Sequence, residues 1–166
     1  VKVREICINK SEWNHSLENN GESYLSLRLG FRQIKGLSKN DVDRIIEERG
    51  NGYNDPQDLW HRIKLSPSII KLLVKANSFH SLNKNRRLLL WDAQAIKKTN
   101  PLALFEGYSE KEYLPEKNVN LPNMTLGEEL ILDYQSLRLS LSTHPVKLLR
   151  PFLKKSLIEK YCSRSL

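Results

Sequence analysis

Apolar positions along this chain fall into short stretches with helical spacing, separated by clusters of turn-forming residues. That pattern predicts a mainly α protein. Val42, Ile45 and Ile46 stand at i, i+3 and i+4 behind Ser38, with Gly50 as the stop, which predicts a helix between them. Asp55-Pro56-Gln57-Asp58 opens a short helix to about Arg62, with Leu59 and Trp60 as core candidates. Ser66-Pro67 reads as an N-cap followed by Pro at the first helical position. Ile69, Ile70, Leu72, Leu73 and Ala76 then make a mostly buried helix. Residues 79–83 form a link, and Asn83 is placed to cap a helix from about Lys84 to Lys98. Thr125 and Glu128 have capping-box spacing and open a helix to about Arg138, whose apolar positions include Leu130, Ile131 and Tyr134. Pro145 starts one more helix, which Pro151 is expected to break or restart near Arg150.

Strand signals concentrate at the amino end. Val1 to Ile8 reads as a strand by β-branched content. Asn20-Gly21 is a hairpin signal between a strand near Trp13–Glu18 and another at Tyr24–Leu29. In the latter, Leu25, Leu27 and Leu29 share one face while Tyr24, Ser26 and Arg28 share the other. A small antiparallel unit packed on the helical core is the expectation. The resulting organisation is a β-unit over 1–30, a tandem helical-hairpin region over 31–98, an acidic Pro-containing linker over 99–124 and a helical segment over 125–166. The linker holds Pro101, Pro115 and Pro122, and its Leu102, Leu104, Phe105, Tyr108 and Tyr113 are candidates for burial.

Leu29 to Gly50 is the stretch with the most chemistry. An apolar segment runs into Ile34-Lys35-Gly36-Leu37-Ser38, and a capped helix follows at once, the layout of a helix-hairpin-helix. Ser38 and Asp41 have capping-box spacing, so the Ser38 hydroxyl and the Asp41 carboxylate are each expected to take the other's backbone amide. Gly36 lies where the link needs positive φ or close approach. The helix therefore presents free amides from about Leu37 to Asn40 at its positive end, an arrangement that binds phosphate without reading any base. Lys35 and Lys39 flank it. A second hairpin is expected between the 66–76 helix and the helix opened by Asn83, Lys84, Asn85, Arg86 and Arg87. Cations at a helix start oppose the macrodipole, and a phosphate ligand explains them.

Charge sharpens this picture. The formal net charge is +8, but residues 60–98 carry nine Lys/Arg against one Asp/Glu, while residues 99–134 carry two against seven. A basic face of this kind suits nucleic acid better than an anionic membrane, because no wide exposed apolar face accompanies it. Cys7 and Cys162 match neither a disulfide scaffold nor a zinc pattern. No apolar run of membrane-spanning length and no signal peptide occurs, so a cytoplasmic protein is expected. His15, His61, His80 and His144 show no metal-ligand spacing, and Asp41 and Asp43 point to different faces of one helix. No phosphate loop of the Walker type and no GxSxG is present. Trp13, Trp60 and Trp91 sit among apolar neighbours and are assigned to the core.

RLGFRQIKGLSKNDVDRIIEERG, then DLWHRIKLSPSIIKLLVKANSFHSLNKNRRLLLWDAQAI, then LPNMTLGEELILDYQSLRLSLSTHPVKLLRP together resemble bacterial C-family DNA polymerases, the α subunit of polymerase III. The likeness is to their error-prone, damage-tolerance branch, and VKVREICINKSEWNHSLE extends it to the amino end. Ser38 departs from the pattern, since many such hairpins place a second Gly there. The resemblance implies a tandem helix-hairpin-helix domain behind the fingers, held on primer-template or other double-stranded DNA. It implies a fragment, with polymerase carboxylates and their Mg2+ in a preceding palm, and a β-barrel following. It also implies partners reached through the full-length protein, namely other damage-tolerance polymerase subunits and the sliding clamp. Within these residues no cofactor, no metal and no catalytic residue is expected, and polymerase activity of the 166 residues alone is expected to be nil. The candidate DNA contacts are Lys35, Gly36, Leu37, Ser38, Lys39, Asn40, Asn83, Lys84, Asn85, Arg86 and Arg87. Two other readings stand beside this one. In the first, the 125–150 helices and the acidic linker dock a protein partner. In the second, the hairpin belongs to a repair enzyme such as a glycosylase or ligase, for which Asp92 is the one acid between Trp60 and Lys98.

Overall fold

Ser, Thr, Asp and Asn caps mark most helix starts in this chain, and Pro stands at the first turn of three helices. The structure, a computed structural model, describes residues 2–19, 21, 24–96 and 121–162, with backbone alone for 154–162. Among the described residues there are six α-helices: α1 Lys39–Glu47, α2 Pro56–Ile63, α3 Pro67–Lys75, α4 Arg86–Ala95, α5 Leu126–Leu137 and α6 Pro145–Cys162. Three short strands precede them: β1 Val3–Arg4, β2 Ser16–Glu18 and β3 Ser26–Arg28. Single 3-10 turns at Phe31–Gln33 and His80–Leu82 complete the set.

The sheet has order β1-β3-β2, with β1 parallel and β2 antiparallel to β3. It is therefore mixed, not the purely antiparallel unit expected. The strands are also shorter than expected: Ile6, Cys7 and Ile8 are buried but leave the sheet, because Ile8 donates its amide to the Ser78 carbonyl behind α3 at 2.8 Å. The inward face of β3 is its polar one. Ser26 and Arg28 are buried, whereas Leu25 is exposed. Arg28 holds both oxygens of Glu18 across the sheet and donates to the Glu5 carbonyl at 3.0 Å, so its charge is neutralised where it lies. The same guanidinium holds the Glu18 carboxyl below its usual pKa.

One hydrophobic cluster runs from Ile6 to Leu137 and is filled mainly by α1–α4, with Phe31, Tyr53, Leu59, Ile70, Leu73 and Phe79 fully buried. The close packing of α3 on α4 is the principal helix pair. Asn77 ends α3 in the left-handed conformation (φ 56°), with Ser78 N donating back to Leu73 O, the bond of a Schellman stop. Several caps differ from expectation. Ser66 makes no side-chain cap bond. Asn83 is itself left-handed (φ 53°), so α4 starts two residues later, capped by Asn85 on the Arg87 amide. The expected α5 capping box between Thr125 and Glu128 forms. Its buried side, however, is Leu130, Asp133, Ser136 and Leu137, while Ile131 and Tyr134 are exposed. Pro151 lies inside α6, which continues through it. Trp13 and Trp60 pack against the core, but Trp91 is 46% exposed and is not a core residue. The linker residues Leu102, Leu104, Phe105, Tyr108 and Tyr113 lie outside the described residues.

Candidate nucleic-acid interface

The first hairpin is built by a close approach. Gly30 N donates to His15 Nδ1 at 2.9 Å, and a Cβ at Gly30 would sit 2.3 Å from the Asn14 carbonyl oxygen. From that fixed point the chain makes one 3-10 turn, not the helix implied by the motif, buries Ile34, and reverses at Gly36 with φ +86°. Leu37 plugs into the core and Ser38 caps α1. Ser38 Oγ accepts from Asp41 N at 3.2 Å and donates to Asp41 Oδ2 at 2.6 Å. Asp41 thus holds the hydroxyl of Ser38 and not its amide, as a full capping box would require. Among the described residues, the amides of Gly36, Ser38, Lys39 and Asn40 meet no acceptor, and that of Leu37 makes only a 3.4 Å bond to Ile34 O. The Lys35 amide is taken, donating to Ser136 O on α5 at 2.9 Å. The Lys35 and Lys39 side chains are exposed and form no ion pair among the described residues. Open amides at a positive helix end, beside two such ammonium groups, can donate to an anionic oxygen.

Another hairpin of the same build as the first lies between α2 and α3, one element before the α3–α4 hairpin that the sequence pattern predicts and the structure forms. Ile34-Lys35-Gly36-Leu37-Ser38 is matched by Ile63-Lys64-Leu65-Ser66, one residue shorter. Lys64 adopts the positive φ (54°) that Gly36 adopts in the first copy. Leu65 is buried like Leu37, and α3 starts directly after Ser66, as α1 does after Ser38. Among the described residues the Leu65, Ser66 and Ser68 amides have no acceptor, and Pro67 has no amide to satisfy. The Lys64 ammonium stands 4.1 Å over the Trp60 ring. The sequence reading missed this repeat, because the one-residue gap hides the alignment of the two Leu-Ser pairs.

The basic cluster over 83–87 has partners inside the protein. Arg86 is buried; it donates to Asp133 Oδ1 at 2.9 Å and to the Lys75 carbonyl. Arg87 makes two bonds to Glu128, at 2.8 and 2.9 Å. Lys84 donates to the Asn54 carbonyl and lies 3.8 Å from Asp55. Asn85 caps α4 and donates to Asn123 at 2.6 Å, and Asn83 turns the chain. The carboxylates that answer the two arginines both come from α5. The start of α4 is therefore folded onto two acids of α5, and no phosphate is needed to explain Arg86 or Arg87. Glu128, held by the Thr125 backbone and hydroxyl and by Arg87, has its pKa lowered accordingly.

Residues 1–89 match the family model described as helix-hairpin-helix motif. The chain belongs to that family. It is also 46% identical over 151 residues to an error-prone DNA polymerase of Ruegeria pomeroyi, a match that covers 91% of this chain and 14% of the relative. It is 37% identical over 150 residues to one of Brucella abortus (90% and 14%) and 38% identical over 158 residues to one of Agrobacterium fabrum (90% and 14%). The chain thus spans about one seventh of the length of these relatives. Their names agree with the polymerase resemblance carried by residues 1–150. Among the described residues no group of three His, Cys, Asp or Glu side chains is placed to hold a metal ion, and no helix is long and apolar enough to cross a membrane.

Proposed function

We propose that this chain is the duplex-gripping part of an error-prone DNA polymerase, holding the DNA backbone without regard to base sequence. The observation that carries the proposal is the doubled hairpin: two reversals of the same build, each leaving amides open at the start of the following helix. Amides so placed donate to phosphate oxygens and are blind to bases, so the grip positions the duplex but does not select a sequence. Lys35 and Lys39 at the first hairpin and Lys64 beside the second supply the charge. In the whole polymerase this grip keeps the primer-template in register beside the active site, during replication and synthesis across damaged template. The Mg2+ that such a reaction needs belongs to the carboxylates of the palm, and these hairpins have no part in holding it. The sliding clamp and the partner subunits are met by the whole polymerase.

The test is binding to two labelled duplexes of unrelated sequence. The proposal expects equal affinities and a several-fold loss in Lys35→Ala/Lys39→Ala. A preference of more than about tenfold for one duplex, beyond what backbone contacts alone produce, counts against it. One observation favours a second role in the same molecule. Val146, Leu149, Phe152 and Leu153 of α6 are all exposed, an apolar surface of the kind that docks protein. A chain with no affinity for DNA at low salt leaves protein docking as the better reading.

A further inference from the structure

The carboxyl end of α5 is joined to the first hairpin by two bonds. Lys35 N donates to Ser136 O at 2.9 Å, and Gln33 Nε2 donates to Leu137 O at 2.8 Å. The last carbonyls of a helix lack partners within it, and here the hairpin provides them. What holds α5 in this place lies on its buried side. Asp133 is paired with Arg86, both nearly excluded from solvent. Arg86 in turn donates to the Lys75 carbonyl at the end of α3, and Ser136 Oγ reaches the same carbonyl at 3.2 Å. The path from the ion pair to the hairpin is thus short: Arg86 to Asp133, one helical turn to Ser136, then one backbone bond to Lys35. Gly36, whose amide is open, is the next residue.

We propose that Asp133 and Arg86 are positioning residues for DNA binding, setting the first hairpin through the end of α5. Neither touches phosphate. Arg86 is buried and Asp133 carries the wrong charge. Their pairing fixes the Ser136 carbonyl, which fixes the Lys35 amide and so the orientation of the Gly36 and Ser38 amides beyond it. This inference rests on the backbone-grip reading, and its test separates the two.

Asp133→Asn keeps the side-chain shape and raises the net charge from +8 to +9. Charge alone therefore predicts equal or tighter binding to duplex DNA, whereas positioning predicts weaker binding. The measurement pairs duplex affinity with amide hydrogen exchange, well below the melting temperature of each variant. Affinity is expected to fall roughly three- to tenfold, the range of coupling carried by packed networks. Exchange at the Lys35 amide is expected to rise while exchange at Lys64, whose amide donates to Trp60 O at 2.7 Å in the other hairpin, stays as in the wild type. A folded variant in which Lys35 opens and affinity is unchanged or higher overturns the proposal, as does one in which Lys35 stays protected. Gln33→Met serves the same purpose if Asp133→Asn does not fold, since Gln33 is half-buried and its replacement removes only the bond to Leu137. Lys39→Ala is the control. Weakened binding there with none in Asp133→Asn or Gln33→Met defeats positioning alone, and unchanged binding in all of them defeats the backbone-grip reading and the positioning role with it.

Discussion

Gly36 and Lys64 occupy matching positive-φ positions at quite different cost. Glycine adopts that conformation freely, while a residue with a Cβ is strained by about 1–2 kcal/mol. Gly36→Ala is therefore expected to lower stability by about 1–2 kcal/mol in chemical denaturation, with strain as the cause, because the added methyl meets only Leu72 Cδ1 at an ordinary 3.5 Å. Lys64→Gly should instead raise stability, by up to about 1 kcal/mol, and weaken DNA binding through the missing charge. Tyr53 makes a further residue-level prediction. Its ring is buried and its hydroxyl donates to Ile45 O at 2.8 Å, so burial pushes the phenol up to about 12. A folded pKa above the unfolded value of about 10 gives stability that is present below pH 10 and lost as pH climbs through 12. Ultraviolet titration of the protein's six tyrosines should show the Tyr53 phenol ionising late, together with the onset of unfolding. A single transition near pH 10 for all six would contradict the burial argument.

At the scale of elements, the ion pairs divide by burial. Arg86→Ala strands Asp133 in a site almost closed to water, and a loss of about 3–5 kcal/mol is expected. Arg87→Ala breaks a pair that faces solvent, and no measurable change in melting temperature should follow. Its effect on duplex affinity should also be smaller than that of Lys39→Ala. Glu18 works in the opposite pH range to Tyr53. Its carboxyl is held low by Arg28, so the sheet gains stability above the unfolded carboxylate pKa, about 4, and loses it as pH falls through the lower folded value. Helix starts were legible in the chain because capping is local chemistry: Ser38, Asp55 and Thr125 each act within three residues of themselves. The strands were not, since β1 and β3 pair across a long stretch of intervening chain and β3 turns its polar face inward around Arg28. The basic cluster at 84–87 was illegible for a related reason. Its neutralising acids stand 41 and 47 residues further on, and no local pattern announces that α5 returns to them. The second hairpin is present in the sequence as a gapped repeat, overshadowed by the stronger charge signal that follows it.

Across the whole molecule, folding redistributes the charge that the sequence advertises. Four of the nine cations in the most basic stretch, Arg62, Lys84, Arg86 and Arg87, are paired with Asp58, Asp55 and the acids of α5, and the cations without an ion pair among the described residues include those at the first hairpin. A grip made of backbone amides and a few lysines should be weak, indifferent to sequence and sensitive to salt, because its free energy comes mainly from released counterions. The measurement that tests this most directly is fluorescence anisotropy on a duplex across a salt series, for the wild type and for Lys35→Ala/Lys39→Ala. The account predicts a linear fall of log affinity with log salt, and a slope about two units shallower in the double variant, about 0.9 for each phosphate that goes unneutralised. Identical slopes for the two proteins, or no binding by the wild type at low salt, would contradict it.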